Sequence, residues 1–175
     1  GCDEKFDLIV FGLLDSHTTS AMTNARLDHY VYTRESLSRA RDLLSEGGVM
    51  VLSFEAVKPY ISDRMGLCLK EVFGREPLAF RMPSGGWGWG GALFVVGDSQ
   101  AIDAALSADA ALAAKIAQWQ SESPIEIVGQ TLVATDDWPY IYLEAPSIPT
   151  LYFLLAGLLG ALVLYCKRRL RPAPL

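Results

Sequence analysis

The sequence predicts an α/β protein: an open sheet whose first strands are parallel and joined through helices, closed by an antiparallel hairpin and followed by a membrane-spanning helix. Three observations predict it. Short apolar runs alternate with amphipathic helical stretches over residues 6–73. Two further apolar runs flank a glycine-rich turn between 78 and 96. Residues 148–166 are nineteen consecutive positions without a charge. A strand, helix, strand, helix order implies parallel strands with right-handed crossovers and helices on the sheet faces.

Each element has its own signal. Phe6-Asp7-Leu8-Ile9-Val10-Phe11 stops at Gly12 and suits a strand buried on both faces. Residues 13–32 read as a polar loop, long for a compact domain. Thr33 is placed as an N-cap with Glu35 in the first turn, Leu37, Ala40, Leu43 and Leu44 form the apolar stripe, and Gly47-Gly48 is the expected stop. Val49–Phe54 is a second buried strand. A helix over about Pro59–Phe73 follows, with Ile61, Met65, Leu69 and Phe73 on one face and Gly74 at its end. Leu78–Met82 and Ala92–Val96 form a hairpin around PSGGWGWGG. Residues 99–120 are alanine-rich and helical with a break near Ser107, and Ile125-Glu126-Ile127-Val128 is strand-like. Gln130–Ser147 is a loop leading to the apolar segment.

Ile148–Cys166 would span ~28 Å as a helix, close to the ~30 Å hydrocarbon thickness. It lacks the polar stripe of a buried core helix, Pro149 suits its first turn, and Tyr152 and Tyr165 sit where interfacial aromatics sit. The segment is expected to cross a membrane.

Composition narrows the function. The chain is 51% hydrophobic and 20% charged with a mean hydropathy of +0.23, which excludes a disordered polymer. The formal charge is −5. Setting aside Lys167, Arg168, Arg169 and Arg171, the first 147 residues hold eleven basic against twenty acidic groups, a balance of −9. Such an acidic body repels phosphate backbones, so no nucleic-acid partner is expected. Cys2, Cys68 and Cys166 are odd in number and have no metal-ligand spacing, which argues against a disulfide framework and a structural zinc site. The opening Gly1-Cys2-Asp3-Glu4-Lys5 has neither an initiator Met nor an apolar signal core, and the chain is expected to be a fragment that begins within a fold.

An open parallel sheet places its ligand at the carboxyl ends of its strands. Those ends are Gly12–His17 for the first strand and Phe54–Glu55 for the second. At this point FDLIVFGLLDS, YVYTRESLSRARDLLSEGGVMVLSF and the closing hairpin resemble the second half of a class I S-adenosylmethionine-dependent transferase fold. More closely they resemble the spermidine synthase (polyamine aminopropyltransferase) family, in particular its membrane-bound multi-pass relatives, in which a DDWPY-type loop precedes further membrane helices. The resemblance covers roughly residues 4–98 and 131–166. It implies a partial Rossmann-like sheet and decarboxylated S-adenosylmethionine or S-adenosylmethionine as cofactor, Gly12 and Leu13 lying at that cofactor. It also implies a small-molecule amine acceptor. The implied division is a transferase-like half over 1–98, a helical extension over 99–130, a juxtamembrane loop over 131–147, the membrane helix over 148–166 and a basic tail over 167–175. Membrane lipid is the other expected partner.

Two departures carry chemical weight. The family's glycine-rich nucleotide loop and the acid that holds the ribose do not lie within these residues. In the family an Asp-x-x-Asp pair ends this strand, its first Asp assisting deprotonation of the attacking amine and its second holding the polyamine. The matching positions here are Gly12 and Asp15. A primary alkylamine has a pKa near that of lysine, about 10, so it is almost wholly protonated at neutral pH. A positioned base typically contributes ~10²–10⁴-fold. The candidate catalytic residues are therefore Asp15, able to pair with an ammonium group, and His17, whose ordinary pKa suits proton transfer near neutrality. Each also has a plain reading as a turn residue bonded to backbone. The candidate acceptor-binding residues are Asp15, Tyr30, Asp136 and Asp137. The two last acids read either as an acidic lip that attracts a polyamine or as part of a juxtamembrane turn, with Trp138, Tyr140 and Tyr142 at headgroup level. Trp87 and Trp89 read as an exposed hairpin loop, and Cys68 as a small buried hydrophobe.

The expectation is a membrane-anchored aminopropyl or methyl transferase-like domain, with a catalytically degenerate, membrane-tethered binding or scaffold module as the alternative. The basic run after the span places the C-terminal end in the cytoplasm, whereas a cytosolic donor requires the globular part there. The resemblance implies further spans that overrule one loop's bias, so an inner or plasma membrane location with a cytoplasmic globular domain is expected.

Overall fold

The computed structural model describes residues 4–12, 27–56, 58–84, 90–148 and 150–169, with only the backbone at 27–29. Its element order is β1 (Phe6–Phe11), a 3₁₀ helix (Leu27–Tyr32), α1 (Arg34–Asp42), β2 (Leu44–Phe54), α2 (Pro59–Phe73), β3 (Leu78–Met82), β4 (Gly91–Gly97), α3 (Ser99–Ala108), α4 (Ala110–Glu122) and α5 (Thr150–Arg169). The strands form a mixed four-stranded sheet in the order β1-β2-β4-β3, with β1 and β2 parallel and the rest antiparallel. The chain is thus α/β, with the expected parallel pair and the expected closing hairpin.

One face of the sheet carries the core. Met50, Leu52 and Phe54 of β2 stand beside Val96, Phe94 and Ala92 of β4, all buried. Leu37 and Ala40 of α1, with Ile61, Met65, Cys68, Leu69 and Val72 of α2, cover them. Arg41 fastens the two helices together, its Nη1 donating to the Val72 carbonyl at 2.6 Å. On the other face α3 and α4 pack toward β4 and β3, where Trp119 stacks on Phe80 at 5.8 Å between ring centroids. That cover does not reach β1. Leu8 is 57% exposed and Val10 60%, so the expectation of a strand buried on both faces is corrected to one with a single buried face, Ile9 and Phe11. An unbroken apolar run does not reveal how many sides are covered.

Helix ends follow local chemistry. Thr33 caps α1 as expected, accepting from the Ser36 amide at 3.4 Å, and Gly74 closes α2 in the left-handed conformation at φ 69°. The expected stop at Gly47-Gly48 is corrected. Helix α1 ends at Asp42, the Leu43 amide bonds the Ala40 carbonyl, and the chain enters the sheet at Leu44. The glycines instead serve a bulge, where the pairing jumps from Phe6↔Leu44 to Leu8↔Val49. Gly47 has φ +79°, and a Cβ on Gly48 would come within 2.9 Å of the Ser45 carbonyl. The last six residues of the expected 13–32 loop form the 3₁₀ helix, and the break in the alanine-rich region falls at Asp109, which caps α4.

The strand-like Ile125–Val128 has no ladder partner among the described residues. It keeps strand-like alternation, with Ile125 and Ile127 half-buried and Glu126 and Val128 exposed. Its support is α2, not a strand: a Cβ on Gly66 would meet Ile127 at 2.5 Å. Beyond it, two charged residues of α2 hold the whole 129–144 segment. The buried Asp63 carboxylate accepts from the Gly129 amide at 2.9 Å, the Gln130 amide at 3.1 Å and the Thr131 hydroxyl at 3.0 Å. Arg64, 0% exposed, donates to the carbonyls of Leu132 at 2.7 Å, Tyr140 at 3.2 Å, Glu144 at 3.1 Å and Ile141.

Residues Gly1–Glu144 form one compact unit and Ala145–Leu175 a second. The second contains α5, which begins at Thr150 and runs on through Lys167, Arg168 and Arg169 beyond the expected end at Cys166. It is long and apolar enough to cross a membrane by length and composition, with a mean hydropathy of 1.8, and none of its side chains is buried.

Replacing Arg64 by Met preserves bulk but strands four carbonyls. Arg64→Met is expected to lower the urea midpoint with an unchanged slope, corresponding to roughly 2–5 kcal/mol. Arg64→Lys should restore only part of this, because an ammonium cannot reproduce the planar fork.

Candidate functional site

The parallel register Phe11↔Leu52 puts the carboxyl ends of β1 and β2 side by side, so Gly12 adjoins the end of β2. Tyr32 closes this corner. Its buried hydroxyl donates to the Gly12 carbonyl at 3.3 Å, and its ring meets Phe54 edge-on at 4.9 Å. Gly12 is half-buried, and a Cβ added there would meet nothing within 4 Å among the described residues. Tyr142 lies on the other side of Phe54 at 6.1 Å, its carbonyl accepting from the Tyr60 hydroxyl at 2.7 Å.

The DDWPY loop folds back onto the start of α1. The Thr33 hydroxyl lies 2.7 Å from Asp136 Oδ1 and 3.0 Å from the Tyr30 carbonyl. The Asp136 amide donates to Glu35 Oε2 at 3.0 Å, and the Arg34 amide to the Ala134 carbonyl at 2.9 Å. Thr135 and Trp138 close the turn through reciprocal backbone hydrogen bonds. One residue pair thus does two jobs: Thr33 and Glu35 start the helix and also tether the loop. Trp138, read from sequence as a headgroup-level aromatic, stacks instead over the Arg64 guanidinium at 4.9 Å, and Pro139 and Ile141 are buried beside it.

An open cavity of about 690 Å³ lies along α1, lined by Tyr30, Arg34, Glu35 and Asp136 among others. Tyr30 and Asp136, far apart in sequence, therefore reach one surface. Tyr30 is exposed, and so are Asp136 and Asp137. Asp136 is committed to Thr33, whereas Asp137 makes no hydrogen bond or ion pair among the described residues. Leu13, Asp15 and His17 lie outside the described residues, as do Trp87 and Trp89.

Electrostatics follow the contacts. Burial pushes the Glu35 carboxyl up, but backbone amides, its own and that of Asp136, together with the Arg34 guanidinium outweigh this and hold it below the usual carboxylate range. Burial draws the Arg64 guanidinium below its ordinary value, against opposing contributions from Tyr60, Asp63 and Glu144. Burial pushes the Cys68 thiol up to about 12, as its reading as a small buried hydrophobe implies.

Asp63 and Arg64 were not singled out from sequence, although a signal was present. Arg64 stands three residues after Ile61 and four before Cys68, so a charge occupies the apolar stripe of α2. A cation there has to be matched by acceptors from another segment.

No protein-family model matches the chain, and no curated protein matches it.

Two outcomes follow. A carboxyl whose folded pKa is depressed stabilises the fold above its unfolded value and loses that contribution as pH falls through the folded value. As pH falls below about 5, the protection of the Asp136 amide, its exchange rate relative to the intrinsic rate at each pH, is expected to drop, and Glu35→Gln should flatten that dependence. Cys68 should resist a maleimide at about pH 8 in the folded protein and react only in denaturant, as read by mass spectrometry.

Proposed function

We propose that the globular unit belongs to a spermidine synthase-like transferase domain of the class I S-adenosylmethionine-dependent type, tethered to a membrane through α5, and that this part supplies the acceptor side of the site. The observation that carries the reading is the return of the DDWPY loop to the N-terminus of α1, where Asp136 is fixed against Thr33 and Glu35, next to Tyr32, whose hydroxyl reaches Gly12 at the end of β1. A loop that belonged only to a membrane anchor would have no reason to be held at eight points by Tyr60, Asp63 and Arg64 of α2 and at three by the start of α1.

The chemistry suits a small amine. Asp136 offers the cavity a carboxylate already oriented by a hydroxyl, Tyr30 an exposed aromatic with a polar tip, and Glu35, Asp42 and Glu71 further carboxylates beside Arg34, Arg39 and Arg41, while Asp137, the next residue, is exposed and uncommitted among the described residues. Exposed ammonium–carboxylate contacts are each worth about 0.2–1 kcal/mol, so the lip selects and gathers an amine and does not hold it tightly.

The residues described here do not by themselves fit the cofactor. By the resemblance, the glycine-rich nucleotide loop and the acid that holds the ribose do not lie within these residues. No step is therefore derived through the cofactor. What the chain does address is the acceptor proton. The position at which the family carries its first Asp is Gly12, which has no carboxylate to offer. That favours the second reading, a domain of the same lineage that binds an amine but lacks the group that deprotonates it.

The test uses the full-length protein in detergent. On the transferase reading, calorimetry shows binding of decarboxylated S-adenosylmethionine or its thioether product, and Asp137→Asn weakens putrescine binding by about 1.5- to 5-fold at low salt. Absence of heat with either nucleoside at millimolar concentration would sink the transferase reading. If Gly12→Asp acquires aminopropyl transfer that the parent lacks, the degenerate reading stands.

A further inference from the structure

A second cavity, of about 410 Å³, lies at the far side of the sheet, between the base of the β3–β4 hairpin and the end of α4. It shares no lining residue with the Tyr30–Asp136 cavity, which lies along α1. Its walls include Glu55, Arg81, Trp119 and Glu122. Glu55 directly follows β2, Arg81 is on β3, and Trp119 and Glu122 are in the last turn of α4.

The charges in this cavity are opposite in sign and yet unpaired. No ion pair joins Arg81 to Glu55 or Glu122, although all three line the same space. The half-buried Arg81 makes one hydrogen bond, from Nη1 to the Ala56 carbonyl at 3.1 Å, which fixes the guanidinium and leaves its other donors uncommitted. Glu55, also half-buried, has no hydrogen bond or ion pair among the described residues. Glu122 accepts only from the Gln118 amide, at 2.6 Å. Opposite charges that line one cavity without meeting each keep a face open to a ligand.

Met82, Pro83 and Trp119 add apolar surface to the wall. Trp119 stacks on Phe80 at 5.8 Å with an interplanar angle of 17°, and the Lys115 ammonium lies 5.5 Å from its ring. The neighbouring Gln120 side chain donates to the Ala79 carbonyl at 2.9 Å, which pins α4 to the free edge of β3 and keeps the cavity's two sides in register.

We propose that this cavity binds a small zwitterion, its carboxylate on Arg81 and its ammonium on Glu55 and Glu122, with Trp119 against the intervening carbons. A simple anion would face two carboxylates, and a simple cation would face the guanidinium. Only a ligand that carries both charges satisfies the three groups together.

The experiment is a titration of the full chain in detergent with ω-amino acids from glycine to 6-aminohexanoate, each compared with the monoamine and the monocarboxylate of the same length. At least one amino acid is expected to bind about tenfold more tightly than either of its halves, because it makes both charge-assisted contacts where each half makes one. Glu122→Gln, an exposed change outside the core, should weaken that ligand several-fold, and Arg81→Gln should weaken it at least as much. If Arg81→Gln fails to fold for want of the Ala56 contact, Glu122→Gln alone decides. Equal binding of the amino acid and its monoamine, no heat from any member of the series at tens of millimolar, or binding unaffected by Glu122→Gln would each overturn the proposal.

Discussion

A guanidinium taken wholly out of water must find acceptors for its donors, and in this protein they come from one loop. Among the described residues Arg64 forms no ion pair with a carboxylate. Its charge is met by the carbonyls of Leu132, Tyr140, Ile141 and Glu144 and by the faces of Tyr60 and Trp138. A cation in that position is costly unless every contact is made, which gives the 129–144 segment one acceptable path over α2. Asp63 completes the arrangement by taking two backbone amides and a hydroxyl from the start of the same segment. A long stretch with almost no regular secondary structure is thereby held as firmly as a strand.

The candidate site inherits its geometry from this constraint. Held by α2, the loop delivers Ala134–Trp138 to the N-terminus of α1, where Thr33 and Glu35 take hold of it. The two neighbouring acids end in different situations: Asp136 is bound into the tether, and Asp137 is left to solvent. Their identity in sequence says nothing of this division. It arises because a two-residue turn closed by Thr135 and Trp138 can present only one of its side chains to the helix start.

The sheet shows how far local patterns reach. Parallel β1–β2 pairing, the β3–β4 hairpin, the N-cap at Thr33, the C-cap at Gly74 and the apolar α5 were all legible, since each rests on propensity or periodicity within a few residues. The one-sided burial of β1 was not, because apolar composition records what can be covered and not what covers it. Gly47-Gly48 misled for a related reason: glycine marks an unusual backbone, and a bulge needs one as much as a helix stop does. Ile125–Val128 has the alternation of a strand and uses it against a helix, since period two requires only one buried side.

By itself the sequence determined the α/β class, the order of its elements, the apolar C-terminal helix and the residue types available at the strand ends. It named Tyr30 and Asp136 separately, for separate reasons. Tertiary structure decided that they share a surface, that Trp138 lies on Arg64, and that Glu55, Arg81 and Glu122 enclose a common cavity. The division is physical. Propensity and periodicity act over a turn or two of chain, whereas the satisfaction of buried charges is a long-range requirement met by groups from wherever the chain returns.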